Sequence, residues 1–354
     1  MSSDYNDAIL VTGADGFIGS HFVDYVLSET ERNLVLVCSW RRGGIGRRLS
    51  DVASGHTSWP DRVFIVTHDL QAPFSTIDVN KINQFGVKDI VHFAAESHVD
   101  RSITDPSDVV RNNVLVTINA LELSRKIDGL RSFFQISTDE VYGPADGSYC
   151  HKEWDPIIPS NPYSGSKAAQ EAIAISYWRT YGVPLVITNT MNNIGERQSA
   201  DKFVPMVIKK ILNGETIDIH SIDGRVGSRF YLHATNHAHA IMSILDAPVQ
   251  YPAPGREGPF GYRPERFNVV GEQEISNLDL VEKIASRMGV PMSEVKYELV
   301  DAHSSRPGHD LRYALDGAKM SERGWEPPMS LDESIDSIIS WYTGNPEWLN
   351  VVIE

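Results

Sequence analysis

The feature that most constrains this chain stands within its first thirty residues. An apolar run, Ala8 to Thr12, passes straight into Gly13-Ala14-Asp15-Gly16-Phe17-Ile18-Gly19, and Phe22, Val23, Val26 and Leu27 then recur at helical spacing. That order is strand, glycine-rich turn, helix. Gly13 suits a tight turn, Gly16 lets backbone approach a pyrophosphate, and Gly19 lets helix pack on strand. The helix N-terminus offers an anion free N–H groups and the positive end of the dipole. A glycine trio alone is weak; between strand and helix it points to dinucleotide binding. Gly13, Asp15, Gly16, Phe17, Ile18 and Gly19 are therefore candidate cofactor contacts.

The alternation continues down the chain. Strands are expected at Leu34–Val37, Val63–Val66, Asp89–Phe93, Ser132–Ile136 and Val183–Thr188, with a helix from Asn112 to Leu123. Strands alternating with helices imply an α/β fold, a Rossmann-type doubly wound parallel sheet with right-handed crossovers. The polar, glycine-rich stretch from Arg41 to Pro60 has no clear period and reads as a loop. It holds Arg41, Arg42, Arg47 and Arg48, either solvated or set against a phosphate. From about Met191 the cues shorten, helices are expected at Lys202–Leu212 and Asn277–Met288, and Pro and Gly gather around 248–264. Residues 1–190 thus read as the dinucleotide-binding domain, with a return segment near 233–247. Residues 191–354 read as a smaller C-terminal substrate-binding domain.

Two segments carry acid–base groups. Phe133, Phe134 and Ile136 form a strand that ends at Thr138-Asp139-Glu140, and in open α/β sheets ligands bind at such C-terminal ends. Asn161-Pro162 then opens a helix on which Tyr163 and Lys167, four apart, share a face. A phenol, an ammonium and two carboxylates outline an acid–base site. The plainer alternative is a surface tyrosine, a solvated lysine and a turn. His237 and His239 have no partner pattern for a metal, and none is expected.

Bulk properties narrow the partners. The net charge of -15 argues against nucleic acid and anionic membrane surfaces, but a few arginines and helix N-termini could still bind a phosphorylated ligand. Hydrophobic content of 41% and charged content of 22% are those of an ordinary soluble protein. Two cysteines, Cys38 and Cys150, imply no disulfide framework, and Met1 to Asp7 lacks a signal-peptide pattern. No apolar run reaches membrane-spanning length. The expected location is the cytoplasm.

Taken together, these segments resemble the extended short-chain dehydrogenase/reductase family, and within it the nucleotide-sugar 4,6-dehydratases, most nearly the dTDP-glucose type. The matches are Thr12 to His21, Phe93-Ala94-Ala95-Glu96-Ser97-His98-Val99-Asp100, Ser137 to Gly143, Asn161 to Lys167, and Arg306-Pro307-Gly308-His309-Asp310. The resemblance implies a nicotinamide cofactor, with Asp69, Leu70, Ala94, Ala95, Tyr163 and Lys167 added to its contacts. It implies that Tyr163 deprotonates the sugar 4-hydroxyl as hydride leaves C4, with Lys167 favouring the phenolate. Glu140 would then take the C5 proton, Asp139 would protonate the departing 6-hydroxyl, and hydride would return to C6. Thr138 would bind near the 4-oxygen. Ser97, Asn193, Lys202, Phe203, Arg229, Asn268, Arg306 and His309 would hold the rest of a nucleotide-diphosphate sugar. A homodimer is implied too, through the helices at Asn112–Leu123 and after Tyr163, where Ile173, Ile175 and Trp178 extend beyond one core face. An epimerase or decarboxylase of the same fold is the alternative within the family; a cofactor-binding scaffold or sensor without turnover is the alternative outside it.

Three places depart from the family pattern. The second strand ends in Val37-Cys38-Ser39-Trp40-Arg41-Arg42, without the usual acidic residue. Arg41 and Arg42 there favour NADP+, whereas the resemblance favours NAD+. His220-Ser221-Ile222 and Arg229-Phe230-Tyr231 replace an aromatic-glycine pair and an Arg-Asp-Trp near the expected nucleobase and diphosphate, leaving both base and sugar open.

Overall fold

The computed structural model describes residues 7–39, 46–247, 263–301, 308, 310–350 and 352. Six strands, β1 (Ala8–Thr12), β2 (Leu34–Cys38), β3 (Val63–Thr67), β4 (Val87–His92), β5 (Ser132–Thr138) and β6 (Leu185–Thr190), join a seventh, Glu265–Val269. They form one sheet in the order Glu265–Val269, β6, β5, β4, β1, β2, β3, and every pairing is parallel. The chain winds outward from β1 to β3, returns to β4 beside β1, and winds outward the other way. The reversal between β1 and β4 opens a crevice at the strands' C-terminal ends.

Because both faces are covered, β1, β2, β5 and β6 are buried along their whole length. On one face, helix α1 (Phe17–Glu29) and the helix Ala234–Asp246 bring Phe22, Val23, Val26 and Ile241 against Ile9, Leu36 and Phe134. On the other, the helices Pro106–Ser124 and Pro162–Tyr181 bring Leu121, Ala174 and Trp178 against Leu10, Phe133 and Ile187. Trp178 is thus a core residue rather than a surface one; Ile173 and Ile175 pack at the edge of that core.

The remaining residues build a second lobe. Helices Phe203–Asn213, Asn277–Arg287 and Leu331–Gly344 enclose Val207, Ile208, Leu280, Ile284, Ile335 and Tyr342. A small sheet of Tyr297–Asp301, Ile217–Ile222 and Arg225–Val226 flanks them. No described helix is long and apolar enough to cross a membrane.

Two elements differ from the sequence expectation. The stretch read as a loop contains the helices Arg47–Gly55 and Trp59–Arg62. Leu49, Val52 and, partly buried, Trp59 are the apolar residues packed on the core there, too few to show a period. The seventh strand, Glu-Arg-Phe-Asn-Val, lacks an apolar run because its polar side chains are buried against partners: Glu265 on Lys319, Arg266 on Glu171, and Asn268 on the His151 carbonyl.

The glycine turn is fixed by close approach. Gly13 has φ +67°, and a Cβ there would lie 2.8 Å from the Ala94 nitrogen. A Cβ on Gly19 would run into the Gly13 carbonyl, a backbone atom that cannot swing away. Gly19→Ala is expected to destabilise the protein by about 1–3 kcal/mol, the usual cost of overpacking. Chemical denaturation reads this directly, and wild-type stability in the variant would contradict the close approach of helix and turn.

Candidate active site

The sheet's C-terminal edge and the second lobe bound a cleft of about 620 Å³. The glycine turn forms one wall, and Arg229, Tyr231 and His220 stand on the lobe side. Thr138, Asp139, Glu140, Tyr163 and Lys167 also line it.

Local structure explains why these five meet. β5 ends at Thr138, and a single 3-10 turn, Asp139–Tyr142, follows. Thr138 Oγ1 donates to Asp139 Oδ1 at 2.8 Å and accepts from the Glu140 N–H at 3.3 Å, so it caps the turn. The helix Pro162–Tyr181 starts from a capping box: Asn161 Oδ1 accepts from the Ser164 N–H at 2.9 Å, and Ser164 Oγ accepts from the Asn161 N–H at 3.1 Å. Pro162 at the first helical position costs no hydrogen bond. Asn161 Nδ2 also donates to Glu140 Oε2 at 3.2 Å, joining helix start to carboxylate. One turn into the helix, Lys167 Nζ donates to the Ile136 carbonyl at 2.7 Å.

A buried polar network behind the cleft fixes the elements to one another. Asn113 Nδ2 donates to Ser166 Oγ at 2.7 Å and to the Glu96 carbonyl at 3.0 Å. His92 at the end of β4 bonds Thr12 Oγ1 at 2.7 Å and Thr117 Oγ1 at 3.2 Å, and Gln170 Nε2 donates to the same Thr117 oxygen at 2.6 Å. Burial holds His92 neutral, with a pKa near 3. The turn that would carry a cofactor and the helix that carries Tyr163 are thus one rigid unit.

Burial dominates the electrostatics. It lifts Asp139 to about 6, against the hydrogen bond from Thr138. It lifts Glu140 to about 7, and the Asp139 charge adds to the rise. Lys167 falls to about 8, with Glu171 opposing the fall. Tyr163 moves well above the ordinary tyrosine range through burial and the charges of Glu140 and Asp139, against its hydrogen bond with Thr138. This corrects one expectation. Lys167 is bonded to a main-chain carbonyl, and the charges acting on the phenol are the two carboxylates, so the free site holds Tyr163 protonated. Glu140 is the more basic of the two carboxylates, and at neutral pH the pair retains part of a proton, mostly on Glu140. Asp139 Oδ2 is buried without a hydrogen-bond partner among the described residues, and Asp139 lines the cleft.

The remaining sequence candidates divide clearly. Gly13, Asp15, Gly16, Phe17, Ile18, Gly19, Asp69, Leu70, Ala94 and Ala95 all line the cleft, as do Ser97, Asn193, Lys202, Phe203 and Arg229. Arg229 is braced by main chain, donating to the Ser228 and Asp310 carbonyls at 2.7 Å each. Lys202 pairs with Asp201 at 3.3 Å. Asn268 is not in the cleft: it is buried and donates to the His151 and Asp316 carbonyls at 2.9 and 3.2 Å. Arg41, Arg42, Arg306 and His309 lie outside the described residues. Arg48 lines the cleft but donates to the Arg197 and Asp15 carbonyls, and Arg47 stacks over Trp348 at 4.3 Å, so the protein itself engages both guanidiniums. Sequence reasoning missed the pair His98–Asp201, 3.0 Å apart on the cleft wall, although both flank residues it singled out.

The cradle fits a dinucleotide. α1 begins at Gly16 with no side-chain cap, so its first N–H groups are free to meet a pyrophosphate, and Gly13 leaves room that a Cβ would fill. Among the described residues no cluster of three His, Cys, Asp or Glu could hold a metal.

The GDP-mannose 4,6 dehydratase family model matches residues 10–338. The chain belongs to that family. It is 36% identical over 348 residues to the low-salt glycan biosynthesis protein Agl12 of Haloferax volcanii, covering 96% of this chain and 99% of that one. It is 32% identical over 366 residues to the dTDP-glucose 4,6-dehydratase of Salmonella typhimurium, covering 97% and 95%. Among solved structures, DesIV, the dTDP-glucose 4,6-dehydratase of Streptomyces venezuelae with NAD and TYD bound, superposes with a TM-score of 0.79 at 32% identity, covering 96% and 98%. A UDP-glucuronic acid 4-epimerase of Bacillus cereus superposes with a TM-score of 0.80 at 24% identity, which shows the shared fold alone. The family and the Rossmann-type sheet expected from sequence both hold.

The carboxylates make stability depend on pH in a defined direction. Both have folded-state values raised above their ordinary 3.8 and 4.5. Their contribution is full below about pH 4 and is lost as pH rises through about 6 for Asp139 and about 7 for Glu140. Glu140→Gln should therefore melt above wild type at pH 8, by roughly 1–3 kcal/mol at 1.36 kcal/mol per pKa unit. At pH 4 the two should nearly coincide. Calorimetry at both pH values checks this, and an equal offset at both would contradict it.

Proposed function

We propose that this protein converts a nucleotide-diphosphate hexose of the glucose type into its 4-keto-6-deoxy product, through a nicotinamide dinucleotide that stays bound. The observation that carries the reading is the adjacent pair Asp139–Glu140 at a strand end, the first buried and the second half-buried, lining one cleft with Tyr163 and Lys167 beside a dinucleotide cradle. Epimerisation at C4 needs a base and a cofactor but no acid for a leaving hydroxyl. A scaffold or sensor needs none of the four groups.

When bound, the dinucleotide would accept a hydride from C4 of the sugar and return one to C6. The chain's own residues move the protons. Tyr163 must first give its own proton to solvent, a loss that the positive charge of an oxidised nicotinamide beside it and of Lys167 one helical turn away would favour; the phenolate then takes the proton of the 4-hydroxyl. Glu140, held by Asn161, removes the C5 proton, which the 4-keto group has made acidic. Asp139 protonates the departing 6-hydroxyl through Oδ2, the carboxylate oxygen that has no hydrogen-bond partner among the described residues. Two neighbouring carboxylates can divide these roles because one proton is shared between them. These roles require that proton on Asp139 once the sugar is bound. Thr138 holds the 4-oxygen, and Arg229, Lys202, Phe203 and Asn193 line the path of the nucleotide diphosphate.

A panel of nucleotide hexoses assayed by mass spectrometry tests the reading: one or more should lose water. Asp139→Asn should spare C4 oxidation and slow water loss about 10²–10⁴-fold, the usual value of general acid catalysis. Tyr163→Phe should block the reaction before hydride transfer. Epimerisation without water loss, or full turnover by Tyr163→Phe, would refute it.

NAD accompanies the dehydratase structures from Streptomyces venezuelae and Bacillus anthracis. In this chain Cys38-Ser39 place no carboxylate to repel a 2′-phosphate, and Arg41 and Arg42 follow. That supports acceptance of NADP+. The helices Pro106–Ser124 and Pro162–Tyr181 pack together and leave Ile173 and Ile175 partly open, with Tyr181 half exposed, which supports a homodimer. Both cysteines are free, as suits a cytoplasmic enzyme. Native mass spectrometry should show two chains with a dinucleotide in each, and NADP+ should load on reconstitution. Monomers alone would overturn the dimer; NAD+ alone, with no uptake of NADP+, would overturn the cofactor assignment.

A further inference from the structure

Behind the catalytic turn lies an ion pair that none of this chemistry uses. Glu171, on the helix that carries Tyr163 and Lys167, and Arg266, on the seventh strand, are 0% and 1% exposed and meet at 2.6 Å. Neither lines the cleft. Each has a second arm. Glu171 Oε1 accepts from Asn189 Nδ2 at 2.8 Å, and the same nitrogen donates to the Thr138 carbonyl at 3.0 Å. Arg266 Nη1 donates to the Tyr142 hydroxyl at 3.1 Å, which in turn donates to the Glu153 carbonyl at 2.9 Å.

Thr138 and Tyr142 are the two ends of the turn that holds Asp139 and Glu140. The ion pair therefore grips the turn at both ends, through Asn189 on one side and directly on the other. Stability does not explain such a pair, because desolvation largely offsets its attraction and apolar residues of like volume often do as well. Apolar residues would not supply hydrogen bonds to Asn189 and Tyr142. Glu171 also stands one turn from Lys167, so its charge bears on that ammonium.

We propose that Glu171 and Arg266 are positioning residues for the water-loss step, holding the Asp139–Tyr142 turn at both ends; the proposal rests on the dehydratase reading above. It predicts a split between the two halves of the reaction. C4 oxidation depends on Tyr163, Lys167 and the Thr138 hydroxyl, whereas water loss depends on Asp139 and Glu140, which the turn holds.

The test cuts each arm while leaving both charges in place. Asn189→Ala severs the Thr138 arm and Tyr142→Phe the Arg266 arm. Oxidation is followed in a single turnover by reduced-nicotinamide absorbance, and water loss by rapid quench and mass spectrometry. Tyr142→Phe should slow water loss about tenfold and change oxidation less than twofold; Asn189→Ala, whose arm ends at Thr138, should slow water loss about tenfold and oxidation by a clearly smaller factor. Arg266→Lys, which keeps the charge, should retain more water-loss activity than Arg266→Met. Equal slowing of both halves, or wild-type water loss in both Asn189→Ala and Tyr142→Phe, would overturn the proposal. If Arg266→Met does not fold, the two arm variants still decide the matter. A wild type that dehydrates no nucleotide hexose would sink the dehydratase reading and this proposal with it. A wild type that dehydrates, with variants that lose both halves alike, overturns the proposal alone.

Discussion

The site turns on the cap at Asn161. Its side chain accepts the first free N–H of the helix with Oδ1 and holds Glu140 with Nδ2. One residue thus starts the helix and fixes a carboxylate against it. Once the helix begins there, its 3.6-residue period carries Tyr163, Lys167 and Glu171 up one side. Tyr163 and Lys167 reach the cleft, and Glu171 turns into the protein behind it. A cap displaced by one residue would rotate each of them by about 100° and empty the cleft of its phenol and ammonium.

The same burial that gives the carboxylates useful proton affinities works against the fold. Asp139 and Glu140 sit side by side where water is scarce, and each additional charge there costs free energy. The protein holds them with hydrogen bonds from Thr138 and Asn161, short of fully neutralising either. Arg229 is close enough to lower both values, yet it donates to the main-chain carbonyls of Ser228, Asp310 and Leu311. A guanidinium paired directly to Asp139 would drive its pKa down and remove the acid. Local instability in this turn is thus tied to its chemistry.

What could be read in the sequence follows from where the information lies. Strands of the central sheet were legible because burial on both faces demands continuous apolar runs. The glycine turn was legible because its three glycines answer steric needs within one short segment. The seventh strand was not legible, because what makes Arg266 and Glu265 tolerable inside the protein is Glu171 and Lys319, far away in the chain. The short helix at Arg47–Gly55 was hidden for a related reason: its buried Arg48 reads as solvated until Asp15 and Arg197 carbonyls are seen to receive it. Asn268 shows the converse. A residue assigned by family pattern to the substrate is placed in the interior, beside His151 and Asp316.

The two walls of the cleft are built by different means, and this bears on what each can specify. The catalytic wall belongs to the parallel sheet, where β5, its turn and the following helix are locked by a continuous polar network. The opposite wall comes from short strands of the second lobe, with His220 on the central strand of a three-stranded sheet and the Tyr231 hydroxyl donating to Asn277 Oδ1 at 2.7 Å. His220 and Tyr231 also mark where this chain departs from the dehydratase pattern. The hydrogen bonds that place Asp139, Glu140, Tyr163 and Lys167 run through the sheet and its helices and include neither residue. The side chains that differ from the dehydratase pattern and the four acid–base groups therefore stand on separately built walls, so one wall can vary in sequence while the other keeps its hydrogen bonds.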